Sequence, residues 1–281
     1  AGVVRMVIKT YNGAVAVANL IDTLTVTVTA TSNVGTFSAA DSFARVGAAA
    51  GAEVTSSADT VANLRVANGS QGIIGFTLHD AADKAMPTTT AVSVTATGGA
   101  VVSFSSGTQT GSSTSTTYGG SSQDYGNIYV AQGVANAAID TTVTISVNGV
   151  VWISKTLQLL GDAASVGLAE YYGVHGEVSE SYSNAFAFNV KDSLGRYLTS
   201  VTLTWTGASY NTSVSPDAAV TSSTRTTSST PGSYTCTAIR GSNEIQLSYK
   251  NAVGVTLLSP KLKVNCVGGA YTFTAALDKA V

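Results

Sequence analysis

Apolar and polar residues alternate with a period of two along most of the chain. In Leu24-Thr25-Val26-Thr27-Val28-Thr29 the apolar positions share one face and the threonines the other. The pattern returns in Val92-Ser93-Val94-Thr95, Val143-Thr144-Ile145-Ser146-Val147 and Val201-Thr202-Leu203-Thr204-Trp205. This is the period of a strand buried on one side, so these segments predict half-buried strands of antiparallel sheets. Turn signals fall between them at Asn12-Gly13, Gly98-Gly99, Gly119-Gly120, Asn148-Gly149 and Pro231-Gly232. Helical periodicity is nearly absent. The alanine-rich piece at 48–52 is the best helical candidate, and its glycine weakens it. Many short strands with frequent turns predict an all-β sandwich or barrel.

The pattern also repeats. Phe76-Thr77-Leu78-His79-Asp80 precedes the strand at 91–95, as Phe188-Asn189-Val190-Lys191-Asp192-Ser193-Leu194-Gly195 precedes the strand at 201–205. Further on, Tyr129-Val130-Ala131 answers Tyr234-Thr235-Cys236, and the segment ending at Leu160 answers the one ending at Cys266. These later landmarks share an offset of about 105 positions, the size of a sandwich domain rather than of a solenoid repeat. We expect an abbreviated or partial domain at 1–60, complete domains at 61–161 and 162–267, and a connector toward a further domain at 268–281.

Composition narrows the function classes. Only 11% of the 281 residues are charged, against roughly 25% in an ordinary soluble domain. Ser and Thr supply the polarity instead, as suits strands and extracellular β-proteins. The net charge is −2 and the cations are scattered, so no basic stripe exists to neutralise phosphates, and nucleic acid is not an expected partner. No apolar run reaches membrane-spanning length. The two cysteines, Cys236 and Cys266, are by count compatible with a reducing or an oxidising compartment.

Candidate chemistry is thin. His79 and His175 are the only histidines. His79 falls beside a turn, at a position expected to face solvent, and His175 falls in the connector before the last domain. They lack metal-ligand spacing, and there is no Cys-x-x-Cys, no Gly-x-Ser-x-Gly elbow and no phosphate loop. Asp80 with Asp83, and Glu177 with Glu180, are the candidate calcium pairs at domain junctions. Neither supplies the six to eight oxygens that calcium takes. Asp80 and Asp192 occupy equivalent turn positions, where an aspartate bonds its own backbone. No cofactor is therefore expected, and the chain is not expected to be an enzyme. Asn68-Gly69-Ser70 and Asn211-Thr212-Ser213 are glycosylation sequons in a host with that machinery.

The segment 188–195, with the strand behind it, resembles the bacterial immunoglobulin-like domains of invasin- and intimin-type surface proteins. Those commonly read hydrophobic-x-Val-x-Asp-x-x-Gly before an alternating strand. Residues 76–80 match less well, because Lys84 stands near the place of the glycine. Tyr234-Thr235-Cys236 resembles the Tyr-x-Cys of an immunoglobulin strand F with its tyrosine corner. The resemblance implies tandem immunoglobulin-like antiparallel β-sandwiches at the cell surface. It also implies a Cys236–Cys266 disulfide stapling two neighbouring strands, F and G, in place of the apolar pair Ala131 and Leu160 of the preceding copy. Closing that loop would contribute about 3–4 kcal/mol, and two buried free thiols are the alternative.

The implied role is a structural component of an extracellular assembly, namely a surface layer, fibre or sheath, with self-association as the partner relationship. The alternatives are a phage fibre or decoration protein, or an adhesin for a glycan or cell-surface protein. An adhesin would bind through loops 105–127 or 210–232, with Tyr118, Tyr125 and Tyr210.

Overall fold

The computed structural model describes residues 2–10, 19–28, 35–59, 64–118, 125–170, 175–177, 180–206, 214–216, 219–221, 230–236 and 241–268. Strands β1 (Gly2–Thr10) and β2 (Asn19–Val28) form an antiparallel hairpin, with Met6 opposite Leu24 and Val4 opposite Val26.

Nine strands then build the first sandwich: β3 (Phe37–Val46), β4 (Arg65–Val66), β5 (Gly72–Asp80), β6 (Ala91–Ala96), β7 (Ala100–Ser103), β8 (Ser113–Thr117), β9 (Tyr125–Gln132), β10 (Ile139–Val147) and β11 (Val150–Leu159). One sheet has the order β3-β5-β9-β7 and the other β4-β11-β10-β6-β8. All pairings are antiparallel except that of β4 with β11, which is parallel. Period-two alternation drives the two sheets together. Ile74, Phe76 and Leu78 of β5 and Ile128 and Val130 of β9 meet Val92, Val94, Val143, Ile145, Leu157 and Leu159 in one core.

The second sandwich repeats the plan with β12 (Ser165–Glu170), β13 (His175–Glu177), β14 (Ser181–Lys191), β15 (Thr202–Thr206), β16 (Val214–Pro216), β17 (Ala219–Thr221), β18 (Thr230–Cys236), β19 (Gly241–Lys250), β20 (Thr256–Leu258) and β21 (Leu262–Val267). Its sheets run β12-β14-β18-β16 and β13-β21-β19-β15-β17. Phe186, Phe188, Val190, Leu203, Tyr234, Leu247 and Val264 fill its core. Each unit is an immunoglobulin-like sandwich in which the first, third, seventh and fifth strands make one sheet, and the short second strand pairs in parallel with the last strand at the edge of the other. The chain is all-β, with these sandwiches in tandem.

The strand plan departs from the sequence expectations at four places. First, β3 lies within the segment 1–60, yet it pairs with β5 and buries Ala44 and Val46 in the first sandwich. That sandwich therefore begins before residue 61, because β5 needs a partner on the side away from β9. Second, no helix forms at 48–52. Gly47 and Gly51 have φ of 73° and 77°, and the segment turns the chain back across the sheet.

Third, Tyr129 and Tyr234 are not equivalent. Tyr234 is buried, whereas Tyr129 is half-buried and Ile128 and Val130 beside it face the core. A match that slips by one residue puts a strand residue on the other face. Ala131 is half-buried and does not share the core position of Cys236, and the counterpart of Cys266 is Leu159 rather than Leu160, because each pairs with the short parallel strand of its sandwich.

The fourth departure concerns the cysteines. Cys236 and Cys266 are bonded, with Cα atoms 5.6 Å apart. They do not staple neighbouring strands. β18 lies in one sheet and β21 in the other, so the bridge crosses the core, with both residues buried. The resemblance to a strand F misplaced Cys236 by one sheet, because β18 pairs with β14 and so occupies the position of strand E.

Candidate functional site

The two turn aspartates organise the same local structure in both sandwiches. Asp80 is almost fully buried, and its Oδ1 accepts from the backbone N–H groups of Ala82 and Lys84, at 2.8 and 3.1 Å. Asp192 Oδ1 accepts from Leu194 and Arg196, both at 3.0 Å. The backbone pairs Asp80–Lys84 and Met86–Leu78 recur as Asp192–Arg196 and Leu198–Val190. Gly195 takes the left-handed position of this turn, at φ 75°, and Asp83 takes it in the first sandwich, at φ 56°. The second oxygen of each carboxylate reaches the segment entering the sandwich, through Gly35 N at 2.8 Å and Gly161 N at 3.3 Å. The bond from Gly35, joined by those from Ala82 and Lys84 and by His79, holds the Asp80 carboxyl below its ordinary value although burial opposes them.

Both carboxylates are thus surrounded by N–H donors, which is a poor cradle for a cation. Among the described residues, no group of three or more His, Cys, Asp or Glu is placed to hold a metal. Asp83 turns its carboxylate to His79 Nδ1 at 2.9 Å, and the imidazole is largely buried rather than solvent-facing. His175 and Glu177 lie in β13, and Glu180 is exposed.

In the second sandwich the turn extends into a junction with the first. Arg196 Nε bonds Asp192 Oδ2 at 2.9 Å, which orients the guanidinium. Its Nη1 then donates to Asp140 Oδ1 at 2.9 Å and to the carbonyl of Ile139 at 3.2 Å, and its Nη2 donates to the carbonyl of Leu159 at 2.8 Å. Only 9% of the Arg196 side chain is exposed and none of Asp192, so their charge-assisted bond is shielded from water, whereas the partner carboxylate of Asp140 is exposed.

A second guanidinium crosses the same boundary. Arg65 Nη2 donates to the carbonyl of Tyr197 at 2.6 Å. Burial lowers the pKa of Arg65 and Arg196 adds to this, while Asp192 opposes it. On the far side of the linker, Asp162 Oδ2 accepts from Ala252 N at 2.6 Å, and Asp162 N donates to the carbonyl of Asn136 at 2.9 Å. Asn251 Nδ2 reaches the carbonyl of Ala163 at 3.1 Å. A cavity of about 150 Å³ remains between the units, lined by Asn68, Leu160, Asp162, Leu198 and Tyr249.

The other sequence candidates are dispersed. Asn68 is half-buried and its Nδ2 bonds Asn136 Oδ1 at 2.9 Å, so its amide is engaged in the junction. Asn211 and Tyr210 lie outside the described residues. Tyr118 is a core residue, and its hydroxyl accepts from Leu78 N at 3.0 Å. Tyr234 stacks on Tyr182 with ring centroids 5.4 Å apart. Its hydroxyl finds no partner among the described residues, which differs from the tyrosine corner that the Tyr-x-Cys resemblance implied. Burial, with Tyr182 and Glu170 adding, pushes that hydroxyl up to about 12.

Sequence reasoning missed Arg65, Arg196 and Asp140. A signal existed for one of them, because a cation stands four residues after the turn aspartate in both copies, as Lys84 and Arg196. It also missed buried Lys155, whose Nζ bonds the carbonyl of Ser57 at 2.8 Å and Asp59 Oδ2 at 2.9 Å and so ties the segment after β3 to β11.

No protein-family model and no curated protein sequence matches the chain. Among solved structures, the chain is similar to FdeC, an Escherichia coli adhesin, at 18% identity and a TM-score of 0.42 over 95% of this chain and 74% of that one. It is similar to the Yersinia pseudotuberculosis adhesin InvE at 12% identity and a TM-score of 0.31, over 83% of this chain and 60% of that one. It is also similar to domains 5-6 of the S-layer protein SbsC, at 20% identity and a TM-score of 0.25 over 73% of this chain and 93% of that one.

Proposed function

We propose that the chain is a structural component of an extracellular surface assembly, a fibre, sheath or surface layer, in which tandem sandwiches act as fixed segments of a rod. The observation that carries this reading is Arg196, which spans the boundary between sandwiches with a single buried guanidinium. A flexible tether between independent binding modules has no use for a buried, charge-assisted clamp. A rod that transmits force or keeps spacing does. On this reading the repeating units run from about Gly35 to Leu160 and from Gly161 to Val267, each opened by a glycine bonded to its own turn aspartate.

The disulfide suits an oxidising, extracellular setting. Low charge suits close lateral contact between copies. The turn carboxylates of Asp80 and Asp192 are taken up by backbone N–H donors and so serve the scaffold. The adhesin reading keeps its loops but loses Tyr118 as a sugar platform, since that ring is committed to the core.

Electron microscopy of the purified native protein tests the proposal. Filaments, sheets or lattices are expected. Dispersed particles that instead bind a glycan array would support the adhesin and sink the assembly.

A further inference from the structure

We propose that the free edge of β8 is a self-association surface, joining two copies of this chain by an antiparallel strand pair centred on Ser115. This names the partner in the assembly and rests on that reading.

The ladder register defines what the edge offers. Ala96 N donates to the carbonyl of Ser112 at 2.7 Å, and Tyr118 N donates to the carbonyl of Thr90 at 2.8 Å. Residues that bond a given neighbour alternate along an antiparallel ladder. Ser112, Thr114, Thr116 and Tyr118 therefore face β6, and the N–H and C=O groups of Ser113, Ser115 and Thr117 point away from it. No described residue pairs with that outer side. Among the described residues the bond there is local, from the Thr116 hydroxyl to the Thr117 carbonyl at 3.3 Å.

The other edges of this sandwich are protected. On β3, Ala44 N and Val46 N are taken by Ser57 Oγ at 3.1 Å and Asp59 Oδ1 at 2.8 Å. On β7, Val102 N is taken by the carbonyl of Gly111 at 2.8 Å. β4 has two residues only. Sheet edges are ordinarily blunted by charge, proline, a bulge, shortness or a covering segment. β8 reads Ser-Thr-Ser-Thr-Thr, has five residues in unbroken register with β6, carries no charge, proline or bulge, and is covered by no described residue.

The strand is also complementary to itself. Turned about a two-fold axis at Ser115, Ser113 falls opposite the Thr117 of the second copy and Ser115 opposite its own counterpart, so every outward N–H meets a C=O. Such an isologous contact closes with two copies and merges two five-stranded sheets into one. Ser93 and Thr95 of β6 lie on the solvent face next to the edge, with Thr144 and Ser146 of β10 beyond them. Two uncharged hydroxyl faces thus come side by side without like-charge repulsion.

Sedimentation equilibrium of the full chain over a concentration series, with Ser115→Pro and Ser115→Cys variants, tests this. The wild type is expected to form dimers. Ser115→Pro is expected to be monomeric with an unchanged melting curve, because the N–H it removes is not part of the β6 ladder. Paired residues of this kind have Cα atoms about 5.5 Å apart, within disulfide reach. Ser115→Cys is therefore expected to give a covalent dimer in oxidised glutathione, whereas Ser93→Cys, one strand inward, is not.

A wild type that stays monomeric overturns the proposal. So does dimerisation of Ser115→Pro as strong as the wild type's, or a Ser115→Cys that does not cross-link. If Ser115→Pro alters the melt, the cysteine pair decides. Capture of an extended foreign peptide by a monomeric wild type also overturns it. Lattices that form unchanged from Ser115→Pro sink this edge and leave the assembly reading intact. A wild type that dimerises through Ser115 yet forms no extended assembly sinks that reading instead.

Discussion

Arg196 donates from Nη2 to the carbonyl of Leu159 at 2.8 Å, so a side chain of the second sandwich closes the end of the last strand of the first. The bond is possible because Asp192, four residues earlier, holds the guanidinium from below.

Removing that guanidinium leaves Asp192 buried and without its cation. Arg196→Ala is expected to cost about 3–5 kcal/mol and to loosen the angle between sandwiches. Calorimetry and small-angle scattering check this, through a lower melting temperature and a broader distribution of distances within the molecule. Arg196→Lys is expected to recover only part of the loss, because one ammonium cannot serve Asp192, Asp140 and two carbonyls at once.

The left-handed position of the turn separates the two copies. A Cβ on Gly195 meets nothing within 4 Å, so only its φ of 75° opposes a side chain. Gly195→Ala is expected to destabilise by about 1 kcal/mol, read from denaturant midpoints. Asp83→Gly relieves that strain in the first sandwich and loses the contact with His79. Its midpoint is therefore expected to move less than that of Gly195→Ala.

Acid is expected to weaken the first sandwich through Asp80. The folded carboxyl lies below its ordinary value, chiefly because it accepts the Gly35 N–H. Its contribution is complete above the unfolded pKa of about 3.9 and is lost as pH falls below that, through the folded pKa. Asp80→Asn is expected to flatten this part of the stability profile, measured by chemical denaturation between neutral pH and strong acid.

The disulfide closes a loop between residues 30 positions apart. Reduction, or the paired change Cys236→Ala with Cys266→Ala, is expected to cost about 3–4 kcal/mol. The first sandwich fills its core without a bridge, so the loss is expected in the second unit alone. Scanning calorimetry with and without reductant reads the two transitions. Alkylation of two thiols in freshly isolated, unreduced protein would contradict the bond.

Alternation along single strands was enough to place β6, β10 and β15, because which side of a strand is buried is written in the strand itself. The aspartate turns were legible for the same reason, since each closes on its own backbone within a few residues. The matching of the later landmarks was legible only to within a residue. Side-chain parity punishes a slip of one, so Tyr129 was matched with Tyr234 although one is half-buried and the other lies in the core.

Periodicity and turn chemistry along the chain were enough for the all-β class, the duplication and the inventory of groups from which any chemistry must come. Tertiary structure decided which sheet each strand joins, and so turned a supposed staple between neighbours into a bridge across the core. It also decided that Arg196 and Arg65 meet carbonyls and a carboxylate of the other unit. The physical reason is range. Periodicity and turn chemistry act over a few residues of chain, whereas sheet order, edge exposure and the junction bonds join residues tens of positions apart, and the alternation of a single strand is blind to them.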